Sequence, residues 1–310
     1  MSREKFIVTI KKDARKNYSL YLMMLPILAF YILFHYGPMY GLAIAFQDWR
    51  IGAAGGFLSG PWVGFDNFIR FFNSFHFERV IRNTLWISFA EIVFGFPAPI
   101  ILALLINELK SKTFSRVTQT ITYLPHFISL VVVAGMVVTF TNDTGFISQI
   151  FAAITGNEPV SMLQWANYFV PILVTMNIWR FMGWTSIIYV AALAGIDPSL
   201  YEAAVIDGAS KFKRLLHITL PCLMPTVIIM LILRLGQVMN VGFEPVILLQ
   251  NDMNLASSDV IQSLVFREGI MTAGNESYTT AIGFFNSAIN LGFIIVANFI
   301  SSKVTGTSLW

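Results

Sequence analysis

Six apolar runs, each longer than 20 residues, constrain this chain more than any other feature. They fall at about residues 18–46, 80–106, 119–141, 166–194, 220–249 and 280–302. About 20 helical residues cross the hydrocarbon core of a bilayer. A backbone in lipid must satisfy its own N–H and C=O groups, which leaves helices or a closed barrel. The runs are continuously apolar and lack the alternation of lipid-facing barrel strands. The fold class is therefore an all-α polytopic membrane protein with six transmembrane helices. Composition agrees: 12% of residues are charged, against about 25% in ordinary soluble domains.

The division that follows is a basic N-terminal segment, 1–17, and a transmembrane domain, 18–310. A signal-peptide core is only about 7–15 residues long, so the first run reads as a retained anchor. Pro26, Pro38, Pro97, Pro99, Pro125, Pro171 and Pro225 fall in or near the runs. Bundled helices tolerate them when neighbours satisfy the freed backbone groups.

Lys and Arg set the orientation. With the N-terminus inside, thirteen fall in inner segments: six before residue 17, then Lys110, Lys112, Arg116, Lys211, Lys213, Arg214 and Lys303. The outer segments hold five, Arg50, Arg70, Arg79, Arg82 and Arg267. Both termini are therefore expected in the cytoplasm. The 3–17 stretch mixes basic and apolar residues, and fits either a helix lying on the inner membrane face or a solvated tail.

Several functions lack their residues. A single cysteine, Cys222, excludes a disulfide framework and a cysteine-based zinc site. His35, His76, His126 and His217 are scattered, and no metal set is expected. A net charge of +3 does not suggest a nucleic-acid partner. Neither G-x-x-x-x-G-K-[ST] nor the G-x-S-x-G nucleophile elbow occurs.

One inner loop, 197–219, is unlike its surroundings. Asp197 before Pro198 is a helix start, with an N-cap carboxylate and proline at the first helical position. Gly208 suits the left-handed residue that ends such a helix. Ser210 can cap a second helix, which Pro221 is expected to interrupt. Leu200, Ala203 and Ala204 are expected on one face, with Glu202 available to a basic partner. On physical grounds this is either an amphipathic loop or a short rigid knob.

Glu202-Ala203-Ala204, then Gly208 after three residues, then Ile218, Leu220 and Pro221 after nine more, reproduce the EAA pattern of ABC importer permeases. The stretches LPILAFYILFHYGPMYGLAIAFQDW (25–49), WVGFDNFIRFF (62–72), YLPHFISLVVVAGM (123–136) and MNVGFEPVILL (239–249) resemble the polysaccharide branch of the carbohydrate-uptake permeases. The resemblance covers nearly the whole chain. It implies a type I importer permease fold in which the EAA segment is the coupling helix. Leu200, Glu202, Ala203, Ala204, Asp207 and Gly208 would then dock on an ATPase. It also implies a second, similar permease, two ATPase copies that bind the ATP and Mg, and an extracellular sugar-binding protein. No cofactor is expected in this chain. The substrate implied is an oligosaccharide.

Ionisable groups within membrane spans face the bundle interior and mark function by default. Here they are Glu91, Arg180, Arg234 and Glu244. Asn177, Arg180 and Trp184 sit at i, i+3 and i+7 of one predicted helix. Gln237 and Asn240 lie one turn apart on the next. As a sugar path, aromatic faces would stack on sugar rings while amides and Arg bond hydroxyls or carboxylates. As structure, Arg180 would pair with Glu91, Asn177 would link helices, and the tryptophans would form an interface belt. Two other classes remain. An ion-coupled secondary transporter needs no motor-docking knob, and a membrane enzyme needs a clustered catalytic set.

Overall fold

The computed structural model describes residues 13, 16–52, 56, 58–272, 274–306 and 308–309. The basic segment 1–17 lies outside the described residues apart from Asp13, Lys16 and Asn17. Among the described residues the chain is helical. The one strand-like feature is an isolated antiparallel bridge between Gln47 and Trp62.

In chain order the helices are α1 (Tyr18–Phe46), α2 (Asp66–Phe72), α3 (Phe77–Asn107), α4 (Lys112–Tyr123), α5 (Leu130–Thr141) and α6 (Phe146–Thr155). They continue with α7 (Ala166–Ala194), α8 (Pro198–Ile206), α9 (Lys211–Leu235), α10 (Phe243–Leu249), α11 (Leu255–Ser258), α12 (Ile261–Gly269) and α13 (Glu276–Thr305). Of the described residues, α1, α3, the α5–α6 stretch, α9 and α13 are each long and apolar enough to cross a membrane. α7 and α8 reach that combination of length and hydropathy only together, and α8 bends away from α7 by 66°. α7 is the sixth membrane helix of the bundle.

Three of the prolines inside these spans each follow a widened π-turn that closes two residues earlier: Ile32–Tyr36 before Pro38, Glu91–Gly95 before Pro97, and Leu215–Thr219 before Pro221. Proline lacks an N–H, and its ring collides with the carbonyl four residues back. One π-turn shifts that carbonyl aside and lets the helix run on. Pro221 therefore does not interrupt the second loop helix, which runs from Lys211 to Leu235 as one span.

Two predicted spans are divided. The run 119–141 is α4 and α5, separated by a tight turn at Leu124–Phe127 around Pro125 and an extended Ile128. The run 220–249 is the end of α9, an unwound segment 236–242, and α10. Run length alone does not reveal such breaks, because the few polar residues at them are outnumbered by apolar neighbours in the run.

The long helix α7 is central. Its upper half buries Phe169, Leu173 and Val174 among Ile87, Val133, Val246 and Val260. Its lower half packs Tyr189 and Leu193 against Ala103 and Leu223. Between them Gly183 meets α4 so closely that a Cβ there would overlap the Thr122 carbonyl. Helices in lipid gain little from hydrophobic burial against one another, so small residues that admit close backbones hold them together. α1 differs: no residue of Tyr18–Met39 is buried, and it joins the bundle only near Ile44 and Ala45.

Candidate functional site

A cleft of about 830 Å³ lies between α3, α7 and the end of α9. The π-turn of α3 brings Glu91 to its wall, α7 contributes Asn177, Arg180 and Phe181, and α9 contributes Leu233 and Arg234. The unwound segment adds Gln237 and Asn240, and α10 closes one side with Phe243, Glu244 and Pro245. Four of the five residues expected along a sugar path, Asn177, Arg180, Gln237 and Asn240, thus line one cavity.

Trp184 does not line it. Its ring stacks on His126, with centroids 4.5 Å apart and planes within 5°, and meets Phe127 edge-on. The cleft-lining side of α7 drifts from Asn177 and Arg180 toward Met182, Thr185 and Tyr189. At the level of Trp184 the α4–α5 turn covers the expected face. The i+7 spacing is correct, but the neighbour filling that face was not visible in the periodicity.

The charged groups pair differently from expectation. Asn177 Nδ2 donates to Glu91 Oε1 at 2.7 Å. Glu91 Oε2 lies 4.0 Å from Arg234 Nη2, so its cationic partner is Arg234 and not Arg180. Gly95 leaves room for this carboxylate, since a Cβ there would fall 2.6 Å from Glu91 Oε2. Arg180 lies over the Phe181 ring at 4.9 Å. Its Nε is buried without a hydrogen-bond partner, and among the described residues it has no ion-pair partner.

The unwound segment is supported from three helices. Ser88 of α3 donates to the Val238 carbonyl. Asn290 Oδ1 of α13 accepts from Met239 N–H at 2.9 Å. Gln262 of α12 donates to Met239 O at 2.7 Å and to Asn240 Oδ1 at 2.8 Å. Asn286 also donates to Asn240 Oδ1, at 2.9 Å. Non-helical backbone at this depth is tolerated where protein satisfies it or where it lines a cavity, and here both hold. Gly242, at φ +88°, makes the turn into α10.

A second feature projects from the α7–α9 junction. Asp197 Oδ1 caps α8 by accepting from Ser199 N–H at 2.9 Å, with Pro198 at the first position. The Ser199 amide and hydroxyl hold the Asp197 carboxyl below its ordinary range. A depressed folded-state value means the cap contributes above that range and fades as pH falls through it. The far end closes as a Schellman motif. Ala209 N–H reaches Ala204 O at 2.8 Å, Gly208 N–H reaches Val205 O at 3.0 Å, and Gly208 has φ +75°. Ser210 caps the next helix through Lys213 N–H.

α8 is capped at both ends and exposed along most of its length. Tyr201 Oη lies 3.0 Å from Thr219 Oγ1, and Lys211 pairs with Glu108 at 3.3 Å. Leu200, Glu202, Ala203, Asp207 and Gly208 are exposed, and Ile206 is 86% exposed. Ala204 is partly buried, one turn from Leu200 on the same side of the helix. Ile206 adds an exposed apolar group one turn from Ala203.

The profile of the binding-protein-dependent transport system inner membrane components matches residues 95–306. That range spans most of the cleft wall, all of α8 and the EAA segment. The chain belongs to this family. Within it the chain is similar to Protein LplB of Bacillus subtilis (strain 168), at 44% identity over 285 residues, 92% of this chain and 88% of LplB. It is 38% identical over 305 residues to the polygalacturonan/rhamnogalacturonan transport system permease protein YteP of the same strain, covering 96% and 94% of the two chains. Among solved structures it resembles a bacterial ABC transporter involved in import of the acidic polysaccharide alginate. There the TM-score is 0.86, with 40% identity over 96% of this chain and 99% of that one. It matches the same kind of transporter in complex with an alginate pentasaccharide-bound periplasmic protein at a TM-score of 0.87. The chain is thus a membrane permease of a binding-protein-dependent transport system, with the fold of those solved importers.

The permease also uses residues that sequence reasoning passed over. Asp259 is fully buried and accepts from Arg79 at 2.6 Å, from Arg267 at 3.1 Å and from Ser263 at 3.2 Å. It clamps the start of α3 to α12, and so fixes the frame around the unwound segment. Arg79 and Arg267 had registered only as loop charges. Ser88 and Asn290 were hidden because a single polar residue in an apolar run carries no periodic signal, and Gln262 because it lies between two runs.

Proposed function

We propose that this permease is one half of a channel through which oligosaccharides, delivered by an external solute-binding protein, enter the cell. The cleft is the path: Asn177, Arg180, Gln237 and Asn240 present hydrogen-bonding groups, and Phe181 and Phe243 present ring faces. The single observation that carries this reading is the convergence of those residues from two helices and an unwound segment on one cavity. The relatives' names support the class of cargo, since one is a polygalacturonan/rhamnogalacturonan permease and another belongs to an alginate importer.

Transport is powered elsewhere. The chain has no phosphate loop, and α8 offers an exposed docking element capped at both ends. Leu200, Glu202, Ala203, Ala204, Asp207 and Gly208, with Ile206 beside them, form the surface presented to a cytoplasmic ATPase. A second, similar permease completes the channel, two ATPase copies bind ATP and Mg, and both termini of this chain lie in the cytoplasm.

The test is sugar-stimulated ATP hydrolysis by the co-purified complex across an oligosaccharide panel, with and without its binding protein. Uptake into vesicles should require ATP and survive collapse of the proton gradient. Uptake that dies with the gradient and ignores ATP would assign the chain to ion-coupled transport instead. Impermeant thiol labelling in a Cys222→Ser background checks orientation. Cysteines at Ser59, Thr155 and Asn275 should react from outside, and one at Ser210 only from inside.

A further inference from the structure

The cleft holds two arginines in unlike states. Arg234 faces Glu91 across 4.0 Å, with their side chains 31% and 12% exposed. That separation is about 1 Å beyond a charge-assisted hydrogen bond, so the pair attracts without bonding. Glu91 meanwhile takes its close bond from Asn177. Arg180 has no carboxylate partner among the described residues, and its guanidinium lies over the uncharged face of Phe181. The remaining charge on the wall, Glu244, is exposed in the first turn of α10, where a helix N-terminus favours it.

We infer that the cleft selects saccharides bearing carboxylates, with Arg180 as the permanent anion anchor and Arg234 as a second cation restrained by Glu91 until a substrate carboxylate takes Glu91's place. This inference rests on the reading of the cleft as the sugar path. Guanidinium groups match carboxylates through a planar fork of donors. A neutral sugar leaves an unpaired Arg180 no better placed than before. A uronate supplies the missing partner at Arg180 and competes with Glu91 for Arg234. Glu91 keeps its Asn177 bond when a substrate carboxylate shares Arg234. It thus acts as a built-in competitor that weakens uronate binding at Arg234, so the gain that distinguishes a uronate from a neutral ring comes from Arg180.

The experiment compares uptake of uronate tetrasaccharides of two linkages with that of their carboxyl-reduced, neutral counterparts. It uses proteoliposomes holding the whole complex and its binding protein. The binding protein is the same throughout, so any change in the acid-to-neutral ratio belongs to the permease. Arg180→Gln should cut uronate uptake about tenfold or more, as expected when a charged group loses its hydrogen-bonded partner, and change neutral uptake less than about twofold. Arg180→Lys should recover part of the loss. Glu91→Gln, which keeps the Asn177 contact and removes the competitor's charge, should lower KM for the uronate about threefold and leave the neutral KM unchanged. Equal loss of both substrates in Arg180→Gln, an unchanged uronate KM in Glu91→Gln, or wild-type uptake of the neutral sugars alone would overturn the charge inference and leave the path intact. Assembled complexes in which neither substitution affects either sugar would remove the path as well.

Discussion

Asn177 Nδ2 donates to Glu91 Oε1 at 2.7 Å, and this bond ties the middle of α7 to the π-turn of α3. It places a largely buried carboxylate against the cleft with one strong neutral partner and one loose cationic partner, Arg234. Replacing Asn177 with Leu removes the strong partner and leaves the carboxylate desolvated. A buried polar group left unpaired costs about 1–3 kcal/mol, more when charged. We expect Asn177→Leu to lower the melting temperature of the purified complex. The double variant Asn177→Leu/Glu91→Leu should recover much of that loss, because no charge remains to satisfy. A double variant as unstable as the single one would show that the bond is not the cause.

The unwound segment 236–242 makes a second, graded prediction. Asn290 satisfies the Met239 N–H, whereas Ser88 satisfies the Val238 carbonyl. Orphaned N–H groups are rarer in proteins than under-satisfied carbonyls, which have two lone pairs to use. Asn290→Leu should therefore destabilise more than Ser88→Ala, by about 1 kcal/mol or more on the cost of an unmade buried bond. Thermal unfolding in detergent gives the order, and equal effects would argue that the segment is supported by packing alone.

What was legible in the sequence follows from physical range. Apolar run length depends on local composition, so the apolar segments could be read directly, though not the breaks within 119–141 and 220–249. α8 could be read as well, since Asp197-Pro198 and Gly208 specify its ends through contacts of two to five residues. The cleft was half legible. Asn177 and Arg180 stood out because polar groups are expensive in lipid. Their partners were misassigned, because whether Arg180 or Arg234 meets Glu91 depends on where α9 unwinds. That break is set by Ser88, Gln262 and Asn290, which come from three other helices. Trp184 failed for a similar reason: Gly183 admits the α4 backbone so closely that the α4–α5 turn covers the face beside it.

That close approach can be tested directly. A Cβ at Gly183 would overlap the Thr122 carbonyl, and neither atom belongs to a side chain that can rotate away. Overpacking of this kind costs about 1–3 kcal/mol or more. Gly183→Ala should lower the yield of folded complex and shift its melting point. It should also disturb the His126–Trp184 stack, visible as a change in the emission of a variant keeping only Trp184. Normal stability together with an unchanged spectrum would show that α4 can yield at this point.

The last prediction concerns the end of α8. Gly208 has φ +75°, and an added Cβ would find nothing within 4 Å. Any penalty for replacing it therefore comes from backbone conformation, not from a clash. L-residues pay about 1–2 kcal/mol in the left-handed region, Asn tolerates it best, and β-branched residues tolerate it least. Gly208→Asn should thus keep the Schellman closure, while Gly208→Val should lose it and swing the loop that joins α8 to α9. The exposed face of Leu200, Ala203 and Ile206 would then miss a cleft shaped for it. Glu202→Lys acts by another route: it leaves both caps of α8 intact and reverses one exposed charge on the docking side. Neither position lies within a span, so all three variants should reach the membrane at normal levels. We expect Gly208→Val and Glu202→Lys to retain less ATPase in a pull-down and to lose stimulation of hydrolysis by sugar-loaded binding protein, with Gly208→Asn close to wild type. Raised salt should weaken the wild-type contact toward that of Glu202→Lys if the glutamate meets a basic partner, because exposed charge pairs are screened. Equal behaviour of Gly208→Asn and Gly208→Val would detach coupling from the shape of this turn, and wild-type coupling in Glu202→Lys would remove the charge from the docking surface.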